Sequence, residues 1–230
     1  MRQNTRFSAR QIAFAGVLGA ITIVLGSTPI GFIQIPPVSI TIMHIPTIIA
    51  GVLQGPVIGG AVGAMFGAFS MWQAQTSVNP MDKLIFSNPL IAVVPRILVG
   101  VVAYYVFRLV RGRSGQVALV AASGLLLGVT GFTFLESLAP LLRYALAIAA
   151  GGLAAALIYV IQKRSGHGPA LAAAAGSLTN TVLVLGLIAA FGFLPAEVAW
   201  GIAVVNGIPE AVMAMILTGL VYRAVSRHID

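Results

Sequence analysis

Cysteine is absent from all 230 residues, which rules out disulfides and thiolate metal sites. Charge is scarce as well. Only 8% of residues are Asp, Glu, Lys or Arg, against about 25% in an ordinary soluble domain. Five acidic residues and three histidines leave little from which to assemble a catalytic centre. There is no His-Glu-x-x-His, no His or Asp/Glu cluster with metal-ligand spacing and no Ser-His dyad at helical spacing. Metal-dependent and nucleophilic catalysis therefore lack their usual residues. A Walker A sequence is missing too, so the chain is not expected to hydrolyse ATP itself. No metal and no cofactor is expected.

What fills the chain instead is apolar: 59% of it is hydrophobic, and its mean hydropathy is +1.02. Such a chain reads as an all-α integral membrane protein with several spans, not a globular domain around one core. The 26 glycines suit close helix packing in lipid, where small residues let backbones approach. The net charge of +8 is assigned to residues that fix topology, not to a nucleic-acid surface.

Eight hydrophobic segments follow one another. Arg2, Arg6 and Arg10 precede an apolar run from Gln11 to Leu25. The opening resembles a signal peptide, but no cleavage site and polar mature segment follow, so a retained first helix is expected. Residues 26–42 hold three prolines and two glycines. Proline removes backbone donors, and unsatisfied backbone cannot face lipid, so this stretch is expected to be a loop folded over the protein's interior. Met43–Leu53 is a short segment, expected to extend into the residues before His44. After Gln54-Gly55-Pro56 comes Val57–Trp72, with Gly59, Gly60, Gly63 and Gly67 near one helical stripe. A polar stretch leads to the span Pro89–Phe107. Val117–Leu135 and Ala145–Ile161 read as two further spans, and Ala170–Phe193 and Val198–Val221 complete the set.

If Arg2 is cytoplasmic and each segment crosses once, ten of the 13 basic residues fall on the cytoplasmic side. Lys83 and Arg143 then lie outside and Arg96 within the membrane. This asymmetry puts both termini of the expected multi-pass cell-membrane protein in the cytoplasm.

Polar residues inside the spans call for an explanation. A charge near the bilayer centre costs about 2.5–3.5 kcal/mol even on mild scales. Arg96 follows Pro95 in the fourth span. Asn206 and Glu210 stand four apart, on one helix face, in the last. Asn180 is near the middle of the seventh. On the expected topology these groups converge in the outer half of the membrane, with His44, Asn88 and Trp72 at span ends on the same side. For Arg96 and Glu210 the two readings are a structural ion pair and a ligand pocket. Asn180 and Asn206 suit helix–helix hydrogen bonds or a ligand. His44 suits packing or a ligand, and Trp72 suits an aromatic belt or a ligand. In the first helix Ala9, Ala13, Ala15 and Gly19 suit internal packing or docking of a membrane partner.

Four segments carry a family resemblance: IMHIPTIIAGVLQGPVIGGAVGAMFGAFS (42–70), NPLIAVVPRILVGVVA (88–103), GSLTNTVLVLGL (176–187) and VNGIPEAVMAMILT (205–218). In this order they resemble the substrate-binding S components of energy-coupling factor vitamin transporters. The resemblance implies a six-helix core that binds a vitamin near the outer face, in a single membrane domain spanning 1–230. Helices 1–4 fall in 9–112 and helices 5–6 in 170–224. The loop 29–42 becomes the gate. Ala9, Ala13, Ala15 and Gly19 become a docking face for a transmembrane coupling subunit, itself driven by two cytoplasmic ATPase subunits. Residues 114–167 depart from the family pattern and are expected to insert an extra helical hairpin.

The resemblance implies a small vitamin as substrate, pantothenate first. Arg96 suits a carboxylate through charge-assisted, bidentate bonds. Asn180, Asn206 and Glu210 suit hydroxyls and amides, with His44, Trp72 and Asn88 as further candidates. Riboflavin, folate or another vitamin is the alternative ligand. A stand-alone secondary transporter with Glu210 as proton carrier, an intramembrane enzyme and a purely structural subunit are alternative functions.

Overall fold

The computed structural model describes residues 7–35, 38–77, 80–110 and 168–226. It is a helical bundle with five helical stretches long and apolar enough to cross a membrane, plus one shorter apolar helix. The expected all-α membrane architecture is the one observed. The inserted hairpin expected over 114–167, with its spans 117–135 and 145–161, lies outside the described residues.

Helix α1 (Ala9–Ser27) opens with a capping box between Ser8 and Gln11, which satisfies two of the backbone donors that a helix start leaves open. At its far end the Ser27 and Thr28 hydroxyls donate back to the carbonyls of Ile23 and Val24, so these polar groups are paired within the helix itself. A short 3-10 turn at Pro29–Gly31 follows.

The next segment departs from the expected loop. It forms an antiparallel pair, β1 (Phe32–Ile35) and β2 (Val38–Thr41), with Phe32 opposite Thr41 and Ile35 opposite Val38. The prolines fall outside both strands: Pro29 in the turn, Pro36 and Pro37 in sequence between the strands. The strand donors therefore stay intact. The Ile42 N–H closes the base of the hairpin by donating to the Gly31 carbonyl at 3.0 Å.

Helix α2 (Ile45–Gln54) is only ten residues long. The expected extension before His44 does not occur: β2 ends at Thr41, and Pro46 sits in the first turn of the helix, where a missing donor does no harm. At 1.5 Å per residue α2 is about 15 Å long, roughly half the hydrocarbon thickness of a bilayer. Gly55, with φ of 98°, reverses the chain into α3 (Pro56–Thr76). Next come two short helices, α4 (Pro80–Phe86) and α5 (Pro89–Ala92), and then α6 (Val94–Leu109). Helices α7 (Gly168–Ala190) and α8 (Ala196–Ser226) complete the bundle. Gly192, with φ of 76°, terminates α7 in the left-handed conformation that glycine favours.

The glycine stripe of α3 packs as expected, and closer than side chains would allow. A Cβ on Gly59 would lie 2.6 Å from the Gly51 Cα, one on Gly63 would overlap the backbone oxygen of Arg96, and one on Gly67 would lie 2.6 Å from the Val93 Cα. Gly100 answers from α6, where a Cβ would collide with the backbone of Gly59. Gly60 is off this seam and meets only the methyls of Ile97 and Val101. Helices α2, α3 and α6 thus meet backbone to backbone.

Helices α1, α3 and α7 run in one direction, and α2, α5–α6 and α8 in the other. The start of α1 and the end of α8 therefore share one end of the bundle. Phe107 and Tyr222 stack edge to face there, 5.7 Å apart, and Gly168 abuts the Phe107 ring. The end of α6 and the start of α7 are consequently neighbours. The hairpin lies at the opposite end.

Candidate ligand cavity

A cavity of about 550 Å³ opens at the hairpin end, within the range of roughly 300–1,000 Å³ typical of small-ligand sites. One wall is a face of α3, from Phe66 through Ser70, Gln73 and Ser77. Thr41 and Met43 reach it from the hairpin side, Asp82 and Phe86 from α4, Arg96 from α6 and Asn180 from α7.

The wall around Arg96 follows from the residue before it. Pro95 has no N–H to give to the carbonyl four residues back, that of Ile91, and the span breaks into α5 and α6 at Val93. The released carbonyl of Ile91 accepts a 2.7 Å hydrogen bond from Arg96 Nη1. Burial fixes the rest of the side chain, which is 7% exposed. The guanidinium lies over the rings of Phe66 and Phe86, at 5.5 and 5.4 Å, and Gly63 lets the α3 backbone close up against it. Aromatic faces stabilise a buried cation without neutralising it. Arg96 makes no ion pair among the described residues, and its Nε is buried without a partner. Nearby, Asn180 also lines the cavity and has a buried Oδ1 with no donor.

Glu210 is arranged differently. It is 7% exposed and is absent from the cavity walls. Its Oε1 accepts two hydrogen bonds from Thr41, one from the backbone N–H at 2.8 Å and one from the hydroxyl at 2.7 Å. The nearby Thr181 hydroxyl donates to the Ser177 carbonyl of its own helix at 3.3 Å. The ion pair that the sequence offers for Arg96 and Glu210 is not formed: the acid takes the hairpin and the base takes a carbonyl and two rings.

The remaining candidates are spread out. His44 is 1% exposed at the start of α2, with neither ring nitrogen partnered, and it is near enough to Arg96 to interact electrostatically. Asn88 caps α5, its side chain accepting from the Leu90 N–H at 3.0 Å. Trp72 points away from the cavity; it is 62% exposed and packs on Phe69, ring centroids 5.6 Å apart. Asn206 is half-buried one turn before Glu210, outside the cavity walls.

Of the small residues in α1, Ala9 and Ala13 are exposed and Ala15 is half-buried. Gly19 is buried, with the Met65 side chain against it, so it packs internally. The exposed face continues instead through Gly16, which has open space beside it, and Ala20.

Several wall residues escaped the sequence reading. Thr41 and Asp82 sit near span ends, where polar residues are ordinary. Phe66, Ser70, Gln73 and Ser77 recur at spacings of three and four along α3, and that periodicity is the signal that marks them. The rim is cross-tied: Gln73 Nε2 donates to the Gly26 carbonyl at 2.9 Å and Ser77 Oγ to Asp82 Oδ2 at 2.9 Å.

Residues 10–150 match the family model described as ECF transporter, substrate-specific component. Two curated relatives are similar. The pantothenate transporter PanT of Leuconostoc mesenteroides is 32% identical over 127 residues, covering 49% of this chain and 62% of the relative. This chain thus spans less than two thirds of that relative's length. The pantothenic acid transporter PanT of Lactococcus lactis is 26% identical over 212 residues, covering 83% of this chain and 80% of the relative.

Proposed function

The chain belongs to the substrate-specific components of the ECF transporters, a multi-pass protein of the plasma membrane, and on that footing we propose that its cavity binds pantothenate for uptake. One observation carries the reading: a buried Arg96, held by Ile91, Phe66 and Phe86 and in no ion pair among the described residues, faces the cavity. A preorganised guanidinium binds a carboxylate through paired N–H donors. Asn180, Ser70 and Gln73 supply donors and acceptors for an amide and hydroxyls, the other polar groups of pantothenate. Both curated relatives named above are pantothenate transporters by name, in agreement with this chemistry. We assign the carboxylate to Arg96 and the amide to Asn180. His44, Asn88 and Trp72 lie outside the cavity walls, and this reading gives them no contact with the ligand. Asn206 belongs to the neighbourhood of Glu210.

In this reading 9–112 and 170–224 form the binding core and 114–167 interrupts it. The cavity faces outward and both termini are cytoplasmic. The basic residues Arg10, Arg108 and Arg223 belong to the end away from the cavity, as the positive-inside rule requires. Energy comes from partners: a transmembrane coupling subunit that meets the exposed small-residue face of α1, and two cytoplasmic ATPase subunits. ATP hydrolysis is theirs, and this chain binds cargo.

A thermal-shift titration of the detergent-purified chain against a panel of B vitamins tests the reading. A ligand stabilises the folded state by an amount that grows with the logarithm of its concentration over Kd. Stabilisation by pantothenate, lost in Arg96→Ala, is the expected result. A neutral vitamin as the sole hit overturns pantothenate and frees Arg96 from ligand duty. Uptake driven by a pH gradient through the chain alone overturns the transporter-subunit reading.

A further inference from the structure

We infer that Glu210 is a latch: it holds the hairpin against α8 through Thr41 and does not touch the bound molecule. The inference deepens the pantothenate reading, because the hairpin is taken as the cover of that cavity.

The geometry separates the two jobs. Thr41 lines the cavity and Glu210 does not. Both Thr41 donors converge on the same oxygen, Oε1, from a residue 169 positions away in sequence. Thr41 is the last residue of β2, and its N–H points away from the partner strand toward α8. A two-stranded hairpin has two open edges, and an edge donor at membrane depth must find an acceptor within the protein. Glu210 is that acceptor.

The latch is also placed where α8 is least tied to itself. Pro209 lies inside the helix, directly before Glu210, and cannot donate to the Val205 carbonyl. Hydrogen bonds to an ionised carboxylate are roughly twice as strong as neutral ones. Lifting the hairpin breaks two of them and strands a buried carboxylate, so the cover stays down unless α8 moves with it. This accounts for an acid in the middle of an apolar span without giving it a ligand.

Hydrogen exchange read by mass spectrometry on the full chain in detergent, without ligand, tests the latch. The variants are Glu210→Gln, which keeps the shape and removes the charge, and Thr41→Val, which removes only the hydroxyl donor. Exchange across 32–42 is expected to quicken about tenfold or more in Glu210→Gln and less in Thr41→Val, with α3 and α7 unchanged. Pantothenate release should quicken by a similar factor in Glu210→Gln, with association no slower. Unchanged hairpin exchange in both variants overturns the latch, and weakened binding alongside it makes Glu210 a ligand contact. Acceleration spread evenly through α3 and α7 also overturns it, since Glu210 would then support the whole bundle. Because exchange is read without ligand, a wild-type chain that ignores pantothenate but shows the hairpin effect retains the latch and loses only the ligand assignment.

Discussion

Arg96 and Ile91 are joined by a 2.7 Å hydrogen bond from a guanidinium to a main-chain carbonyl, and the carbonyl is free only because Pro95 lies four residues beyond it. The break in the span and the aim of the cation share one cause. An arginine in a continuous helix would find every nearby carbonyl already taken. Here the proline supplies the tether and the arginine uses it, leaving the other nitrogens for a ligand.

The tether can be cut without touching the arginine. In Pro95→Ala the new amide competes for the Ile91 carbonyl and releases Nη1. Pantothenate affinity should fall about tenfold or slightly more, the lower end for a hydrogen bond to a charged group, while thermal stability holds or rises. Isothermal titration beside a melting curve checks both. Unchanged affinity would mean that the rings of Phe66 and Phe86 hold Arg96 by themselves.

Removing the cation is more severe. Arg96→Ala should weaken pantothenate by about 2–5 kcal/mol, the usual loss when one partner of a buried charged pair is deleted. Arg96→Lys should recover only part of this, because an ammonium lacks the planar fork that matches a carboxylate. The same titration read with pantothenate and with its uncharged alcohol analogue separates the effects: the alcohol should be nearly indifferent to both substitutions.

Gly63 is a sharper probe of the scaffold than any core leucine. A single methyl there would overlap the Arg96 carbonyl oxygen, which is backbone and cannot rotate away. Gly63→Ala should destabilise by about 1–3 kcal/mol, the cost of overpacking, and weaken binding by displacing Arg96. Gly60→Ala, facing only methyls at 3.6 and 3.7 Å, is the matched control and should change little. Thermal melts of the pair decide the matter.

On α1 the structure divides residues that the sequence groups together. Ala13→Leu changes an exposed position. It should leave pantothenate binding intact and reduce co-purification with the coupling subunit by about tenfold or more, since bulk at a small-residue interface keeps backbones apart. Gly16→Leu should act alike. Gly19→Leu should instead lower the melting temperature, because it drives into Met65. Loss of ligand binding in Ala13→Leu would show that this face packs internally.

Much of the fold is legible in the sequence because lipid imposes long apolar runs, and the runs bounded α1, α3, α7 and α8 to within a few residues. The hairpin was hidden for a physical reason. Two four-residue strands are too short to show a period, and three prolines around them argue for irregular chain. The misplaced start of α2 followed from that, since length alone called for more helix before His44. At the site, Arg96 and Asn180 stand out because polar groups in apolar spans are costly. Thr41 and Asp82 do not, being ordinary for span ends, and Phe66 and Phe86 look like any membrane phenylalanine. Glu210 announced that it needed a partner, but a partner 169 residues distant leaves no trace in spacing.

The seam of Gly51, Gly59 and Gly100 contains no side chains to repack. Helices α2, α3 and α6 can therefore travel only as one solid piece, and that piece carries Phe66 and Arg96. The hairpin and α8 lie outside it. How tightly cargo is held and how readily it enters or leaves are thereby entrusted to different parts of the chain. On the latch reading, substitution of Glu210 would adjust residence time while the cavity walls stay as they are, and a change of cargo would be made on the solid piece without rebuilding the door.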